Sequence, residues 1–452
     1  EVQKEVEVQK EVEVQKEVEV QKEVEVQKEV EVQKEVKVQK EVKVSNIYKI
    51  THNFRENIQS IQVFVEVIGK LADEHDNNVI NDCFNPLEET YKKLKTEFFS
   101  SIKKDENEED SLSEAEKQEL MKYWVNKISM KEVMKNLKKM TKSAPRQGEL
   151  LRKNSLITLL STFENLISNL IQEYYTQFPT ALPSDTKKLT LAEIKELGSI
   201  EEAEKSIMDS EIDSILRGDI SSQLDYCSKK LTLKLNYISE YKDYLVEVAQ
   251  RRNILVHNDG IINKHYLKKI DNKLFSEELI EGKKIQVSSE YLLERIELIY
   301  ITGIILIQES FRKWTKKYDE CNSILTDIIF ESLQEKKYSF VEKLSKYIHS
   351  IKFDNEKDYK VLIINHCLAL KRQDKIDKMK EELNKHDWSA VSNEFKLALA
   401  ILKNEDEKVY KELNNSIMTN IIDEDSLESW PLFEEYRDQD KFKEILQSFK
   451  DK

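Results

Sequence analysis

One short stretch of this chain gathers side chains able to do acid–base chemistry on a phosphate: residues 251–260 read Arg-Arg-Asn-Ile-Leu-Val-His-Asn-Asp-Gly. Histidine titrates near neutral pH, so His257 can take or return a proton. Arginine keeps its charge and its fork fits phosphate oxygens, so Arg252 can stabilise a developing pentacoordinate phosphorane. Asn253 stands four residues before His257, on the same face of a helix, where its amide can orient the imidazole or bind a phosphate oxygen. Arg252 is one position behind Asn253, with a side chain long enough to reach the same pocket. These parts suffice to cleave RNA through its own 2′-hydroxyl without a metal, and DNA has no such hydroxyl. One His and one Arg are a thin catalytic set. A twofold dimer would supply a second His257, one copy acting as base and the other as acid. The same residues also admit a structural reading: a His in the last turn of a helix is favoured by the dipole, and Asn258-Asp259-Gly260 is an ordinary cap.

The elements that must position this cluster read as helices. A run ending at His257 and beginning near Ser221 predicts one long helix, stopped by Asn258-Asp259-Gly260. Upstream, Leu156, Leu159, Leu160, Phe163, Leu166, Ile167, Leu170, Ile171 and Tyr174 recur at helical spacing and predict a long amphipathic helix. Pro179 and Pro183 punctuate a loop, shorter helices follow at Leu191–Leu197 and Ser199–Leu216, and Gly218 breaks the pattern. A further helix begins at Ser288-Ser289-Glu290 and runs to Phe311. Residues 146–318 thus form a helical unit around the cluster. Residues 45–145 predict helices at Ile58–Leu71, Leu87–Ile102 and Ala115–Met140, with an acidic loop from Lys104 to Asp110 and a boundary at Ser143-Ala144-Pro145. Residues 319–452 read as shorter helices joined by polar turns at Asp354-Asn355, Lys371–Asp374 and Lys403–Glu405, a pattern that suits an α-solenoid or a plain bundle. Residues 1–44 repeat Glu-Val-Gln-Lys-Glu-Val, whose period of six places no apolar stripe on a helix. They are expected to form an unpacked arm, with a β-solenoid or oligomerisation stalk as the other reading. The chain starts inside this repeat without an initiator Met, as a fragment would.

Composition agrees with an all-α protein. Only 7 Gly and 5 Pro occur in 452 residues, too few turn residues for an all-β fold, while 39% hydrophobic residues are enough for real cores. A net charge of −14 excludes a surface coated for nucleic acid and leaves room only for a local basic pocket. Cys83, Cys227, Cys321 and Cys367 lie far apart, as buried thiols of a reducing compartment rather than zinc ligands or disulfides. No apolar run reaches membrane-spanning length; Leu298–Ile307 is interrupted by Tyr300, Thr302 and Gly303. The expectation is a cytoplasmic protein without a membrane segment, cofactor or metal.

The motif and its surroundings resemble the HEPN superfamily, whose signature is Arg-x4–6-His with a polar residue, often Asn, after the Arg. Here these are Arg252, Asn253 and His257. The longer string, continuing through Asn263, Tyr266 and Leu267, is similar to a set of bacterial HEPN proteins, as are Gly198–Ala203 and Val287–Leu292. The resemblance covers roughly residues 150–315. It implies a helical bundle that dimerises, with Arg252 and His257 of both copies lining one RNA-cleaving cleft and Asn253 supporting them. It implies metal-independent cleavage that leaves a 2′,3′-cyclic phosphate, in a bacterial antiphage-defence or toxin–antitoxin setting. Arg251 and Asn258 are further candidates for RNA contact. Some members of the superfamily keep the fold only for binding or dimerisation, so a non-catalytic protein- or RNA-binding dimer is the alternative. The C-terminal stretches Trp388–Leu399 and Ser429–Phe442 resemble tetratricopeptide-type repeats, which implies a surface for a protein partner or inhibitor.

Other residues carry less chemistry. His265 reads as an exposed loop residue, and Glu164 as a solvated or capping residue that can face the cleft. His349, His366 and His386 show no metal-ligand spacing with carboxylates and read as incidental. No phosphate-binding glycine loop, nucleophile elbow or paired-carboxylate motif occurs.

Overall fold

A computed structural model describes residues 46–102, 112–127, 130–143, 146–182, 189–270, 279–419 and 421–450. The repeat arm, the acidic loop from Lys104 to Asp110, Pro183 and the Ala144-Pro145 boundary lie outside the described residues. The fold is all-α: among the described residues the only strand pairing is an isolated antiparallel bridge between Ile261 and Lys284. No helix among them is long and apolar enough to cross a membrane.

The contacts divide the chain into two compact units that interleave along the sequence. One consists of Arg55–Glu164 and Tyr241–Tyr300; the other holds the described residues of Glu1–Phe54, Asn165–Glu240 and Ile301–Lys452.

The first unit contains the chemical cluster. It takes the end of helix α1 (residues 46–63), a π-helical turn at Phe64–Ile68, α2 (Gly69–Ile102), α3 (Glu114–Lys127), α4 (Met130–Ser143) and the first half of α5 (Gln147–Gln177). It adds α9 (Lys242–His257), α10 (Lys264–Lys269) and the first half of α11 (Ser289–Thr315). The separate helices expected at Ile58–Leu71 and Leu87–Ile102 are one helical run from 46 to 102, while the helix expected at Ala115–Met140 is described as α3 and α4, with residues 128–129 outside the described residues. Both α3 and α4 pack on α2, where Phe98, Phe99, Leu112 and Leu120 form a small core. Helix α5 buries the apolar stripe read from the sequence, with Leu156, Leu159, Leu160 and Phe163 at 1% exposure or less. Its N-terminus is capped from α2: the Gly148 N–H donates to Asp76 Oδ2 at 2.9 Å, satisfying one of the orphan donors of a helix start.

The second unit holds the rest: α6 (Leu191–Leu197), α7 (Ile200–Leu216), α8 (Ile220–Lys229), then α12 (Tyr318–Gln334), α13 (Tyr338–Ile348), α14 (Glu356–Arg372), α15 (Ile376–Asn384), α16 (Asn393–Leu402), α17 (Asp406–Met418), α18 (Glu424–Ser429) and α19 (Asp440–Lys450). Helices α13 and α14, α14 and α15, and α16 and α17 pack as consecutive pairs. Three of the turns repeat one geometry. Lys336, Asp374 and Asn404 have φ of 60°, 58° and 57°, and the next N–H in each case donates five residues back, Lys337 to Ser332 O, Lys375 to Leu370 O and Glu405 to Ala400 O. That is the Schellman closure of a helix end.

The long helix expected from Ser221 to His257 is broken. Helix α8 ends at Lys229, Thr232 has φ 56°, and a 3-10 turn at Asn236–Tyr241 precedes α9. Leu231 and Leu233 are buried while Thr232 and Lys234 are exposed, so burial at period two overrides helix propensity here. The alternation of Leu231, Leu233 and Leu235 is the local signal of the break.

Candidate functional site

The cluster lies in the last three turns of α9, and its neighbours sort into an inner and an outer set. On the inner side, Ile254 and Leu255 are buried, and so is Arg251 at 1% exposure, beside Glu247 at 0%. Arg251 Nε donates to Glu247 Oε1 at 2.6 Å, and its Nη1 donates to Gln286 O at 2.7 Å. Its guanidinium lies 3.9 Å from the Tyr291 ring centre, a cation–π contact. Glu247 also accepts the hydroxyls of Tyr266 at 2.8 Å and Tyr291 at 2.6 Å. Burial opposes the charge on Arg251, yet Tyr291 and Glu247 outweigh it and hold the guanidinium protonated more firmly than usual.

This cage ties α9 to α10, to the segment at Gln286 and to the start of α11. It gives the tail of the motif its work. Asn263 Oδ1 caps α10 by accepting from Tyr266 N at 2.9 Å, and Tyr266 reaches Glu247. Arg251 is therefore committed inward, and the side chains left to meet a ligand are its neighbours.

On the outer side, Arg252 and Asn253 are half-buried, and His257 and Asn258 are exposed. Arg252 Nη2 donates to Glu164 Oε1 on α5 at 2.6 Å. Its Nε is buried without a hydrogen-bond partner among the described residues. Burial raises the Glu164 carboxyl above its ordinary range, and the Arg252 charge offsets this only in part. Asn253 and His257 share a face by their four-residue spacing, with Arg252 about 100° round the helix from Asn253. Asn258 is drawn into closing the helix: its N–H donates to Ile254 O at 2.9 Å, and its Nδ2 donates to Ile261 O at 2.6 Å.

The residues after the helix fix its end. Asp259 and Gly260 have φ of 48° and 77°. Gly260 N–H donates to Ile254 O at 2.9 Å, and its carbonyl accepts from Ile285 N at 2.8 Å. Ile262 then pairs with Lys283 and Gly282, so the chain after the motif is held as a short ribbon. A cavity of about 340 Å³ opens beside this ribbon. It is lined by Arg146, Lys153 and Lys284 with Glu149, Leu255 and Asp259, whereas Arg252, Asn253 and His257 are not among its lining residues.

His265 is exposed on α10. The histidines of the other unit are not scattered. His349 and His386 both place Nε2 3.1 Å from Glu382 Oε1, and the His366 ring centre lies 6.0 Å from that of His349. Glu382 and His386 are four apart in sequence, which is the legible half of this cluster; His349 is brought in only by folding. Comparison with protein-family models, curated proteins and solved structures finds no match to this chain.

Proposed function

We propose that this chain is a HEPN-type RNA endonuclease whose site is completed by a second copy, with Arg252, Asn253 and His257 of each protomer lining one cleft. The observation that carries the reading is the division of α9. Arg251, Ile254 and Leu255 anchor the helix end inward, while Arg252, Asn253 and His257 are left at the surface on that rigid base. In the proposed reaction one His257 accepts the 2′-hydroxyl proton as the oxygen attacks phosphorus. The P–O2′ bond forms and the P–O5′ bond breaks, and the leaving 5′-oxygen takes a proton from the other His257. The products are a 2′,3′-cyclic phosphate and a 5′-hydroxyl. Arg252 stabilises the extra negative charge at phosphorus, which requires its Glu164 contact to yield or to share the guanidinium. No metal takes part in this scheme. The setting we infer is bacterial antiphage defence or a toxin–antitoxin pair, in which the C-terminal helices receive a protein partner or inhibitor.

The experiment is cleavage of a mixed RNA pool in EDTA by the wild type, Arg252→Ala and His257→Ala, with mass and circular dichroism checked for each. Cleavage lost in both variants of unchanged fold supports the assignment. Cleavage that persists in both overturns the site. The Arg252–Glu164 ion pair favours a second reading, a binding and dimerisation domain without catalysis, because it occupies the arginine fork. A wild type that cleaves no RNA yet forms a dimer is the result that reading expects.

A further inference from the structure

We propose that His349, Glu382 and His386 form a binding site for a divalent transition-metal ion, with Zn²⁺ as the fitting occupant, separate from the α9 motif. Three potential ligand atoms converge there, all within 4.8 Å of one another. Two of the separations, His349 Nε2 to Glu382 Oε1 and His386 Nε2 to Glu382 Oε1, are 3.1 Å. Bonds of about 2.0–2.1 Å at tetrahedral angles place ligand atoms roughly 3.3 Å apart. Two of the three separations are thus near bound geometry, and the third, between the two imidazole nitrogens, is within 4.8 Å.

The surroundings are those of a ligand set rather than of loose surface histidines. His349 Nδ1 lies 3.0 Å from the Tyr359 hydroxyl. With Nε2 on a metal, the Nδ1 proton has the Tyr359 hydroxyl as its acceptor, the kind of outer partner that metal-binding imidazoles use. Glu382 is 4% exposed, and its second oxygen accepts from Lys385 Nζ at 2.8 Å, so one carboxylate oxygen is already held and the other faces both rings. The His349 and His386 rings are parallel to within 7°. Next to them His366 is 6% exposed with a buried Nδ1 that has no hydrogen-bond partner among the described residues.

Two neutral imidazoles and one carboxylate suit Zn²⁺ and its neighbours in the first transition row, and not Mg²⁺ or Ca²⁺, which take oxygen ligands. His349 stands at the C-cap of α13, Glu382 lies on α15, and His386 comes two residues after its end. An ion here would pin the ends of α13 and α15 together across α14, which carries His366. A fourth position stays open on the side of His349, whose side chain is 31% exposed.

The test uses the full chain, stripped with a chelator and dialysed, then titrated with Co²⁺ by visible absorption and with Zn²⁺ by calorimetry. The expectation is one equivalent bound, intense four- or five-coordinate Co²⁺ bands, and a Tm raised by several degrees in excess Zn²⁺. Glu382→Gln removes a buried carboxylate and is open to misfolding. His349→Ala, at an exposed helix end, therefore carries the test together with His386→Ala. Each is expected to weaken Zn²⁺ binding at least tenfold and to abolish the Co²⁺ bands, while His265→Ala changes neither. A wild type that takes up no ion at micromolar concentration overturns the proposal, and so does binding left unchanged in the His349→Ala/His386→Ala double variant.

Discussion

Arg252 and Glu164 meet at 2.6 Å between Nη2 and Oε1, with 25% and 26% of their side-chain surfaces in solvent. The pair links the motif helix α9 to α5. It also sets the carboxylate against the phosphate that the proposed function brings to the same guanidinium.

Removing that competition without removing the hydrogen-bonding group should strengthen RNA binding. For Glu164→Gln we expect the Kd for a single-stranded RNA to fall about three- to tenfold at low salt. The slope of log K against log salt should steepen by about 0.7, since one more cation is free to displace counterions. Filter binding across a salt series measures both. An unchanged slope would show that the Arg252 charge does not meet RNA.

The two adjacent arginines should separate cleanly into a structural and a functional one. Arg251→Ala leaves Glu247 as an unpaired buried carboxylate and is expected to cost about 3–5 kcal/mol. Arg252→Ala breaks a half-exposed pair and should cost about 1 kcal/mol or less, while cutting RNA cleavage by about a hundredfold or more. Urea denaturation and a cleavage assay on both variants check this. Equal stability losses would refute the inner and outer division of α9.

Gly260 is required by backbone shape and by space. Its φ is 77°, and a Cβ there would meet Leu255 Cδ2 at 3.2 Å and the Ile285 carbonyl at 3.3 Å. Gly260→Ala should cost about 1–2 kcal/mol from the left-handed conformation alone, with more from the contacts. Because the ribbon that closes α9 starts here, a loss of cleavage larger than the loss of folded fraction is also expected. Cleavage assays alongside denaturation curves compare the two losses.

The Asp76 cap on α5 gives a pH dependence. Burial pushes its carboxyl up, but N–H donation from Gly148 and Gln147, with His75 beside it, wins and leaves it below the ordinary value. A carboxyl depressed in the folded state stabilises above its unfolded pKa of about 3.9, and this contribution fades as pH falls below it. Asp76→Ala should therefore cost about 1 kcal/mol at neutral pH and progressively less under acid conditions. Denaturation curves across that range decide it; a cost independent of pH would assign the loss to packing instead.

Local signals in the sequence are enough for much of this protein. The apolar period of α5, the bounds of Leu191–Leu197 and the Ser288 start of α11 rest on helical spacing and caps, which act over a few residues and can be read directly. The same is true of the stop at Asn258-Asp259-Gly260 and of the turns at Asp374 and Asn404, because each depends on a residue tolerant of positive φ. The break after Lys229 shows locally only as alternating leucines, since tertiary burial had to overrule a helical run.

The sequence by itself determined an all-α chain with a polar Arg-Asn-His cluster at a helix end, because composition, periodicity and capping are near-neighbour properties. Only the tertiary structure decided which arginine faces inward. Arg251 and Arg252 are identical residues side by side, and they differ because Glu247, Tyr266 and Tyr291 surround one while Glu164 meets the other. Folding likewise drew His349 to Glu382 and His386 from a distant stretch of chain. Side-chain partners at that separation are chosen by how helices pack, and no spacing along the chain records it.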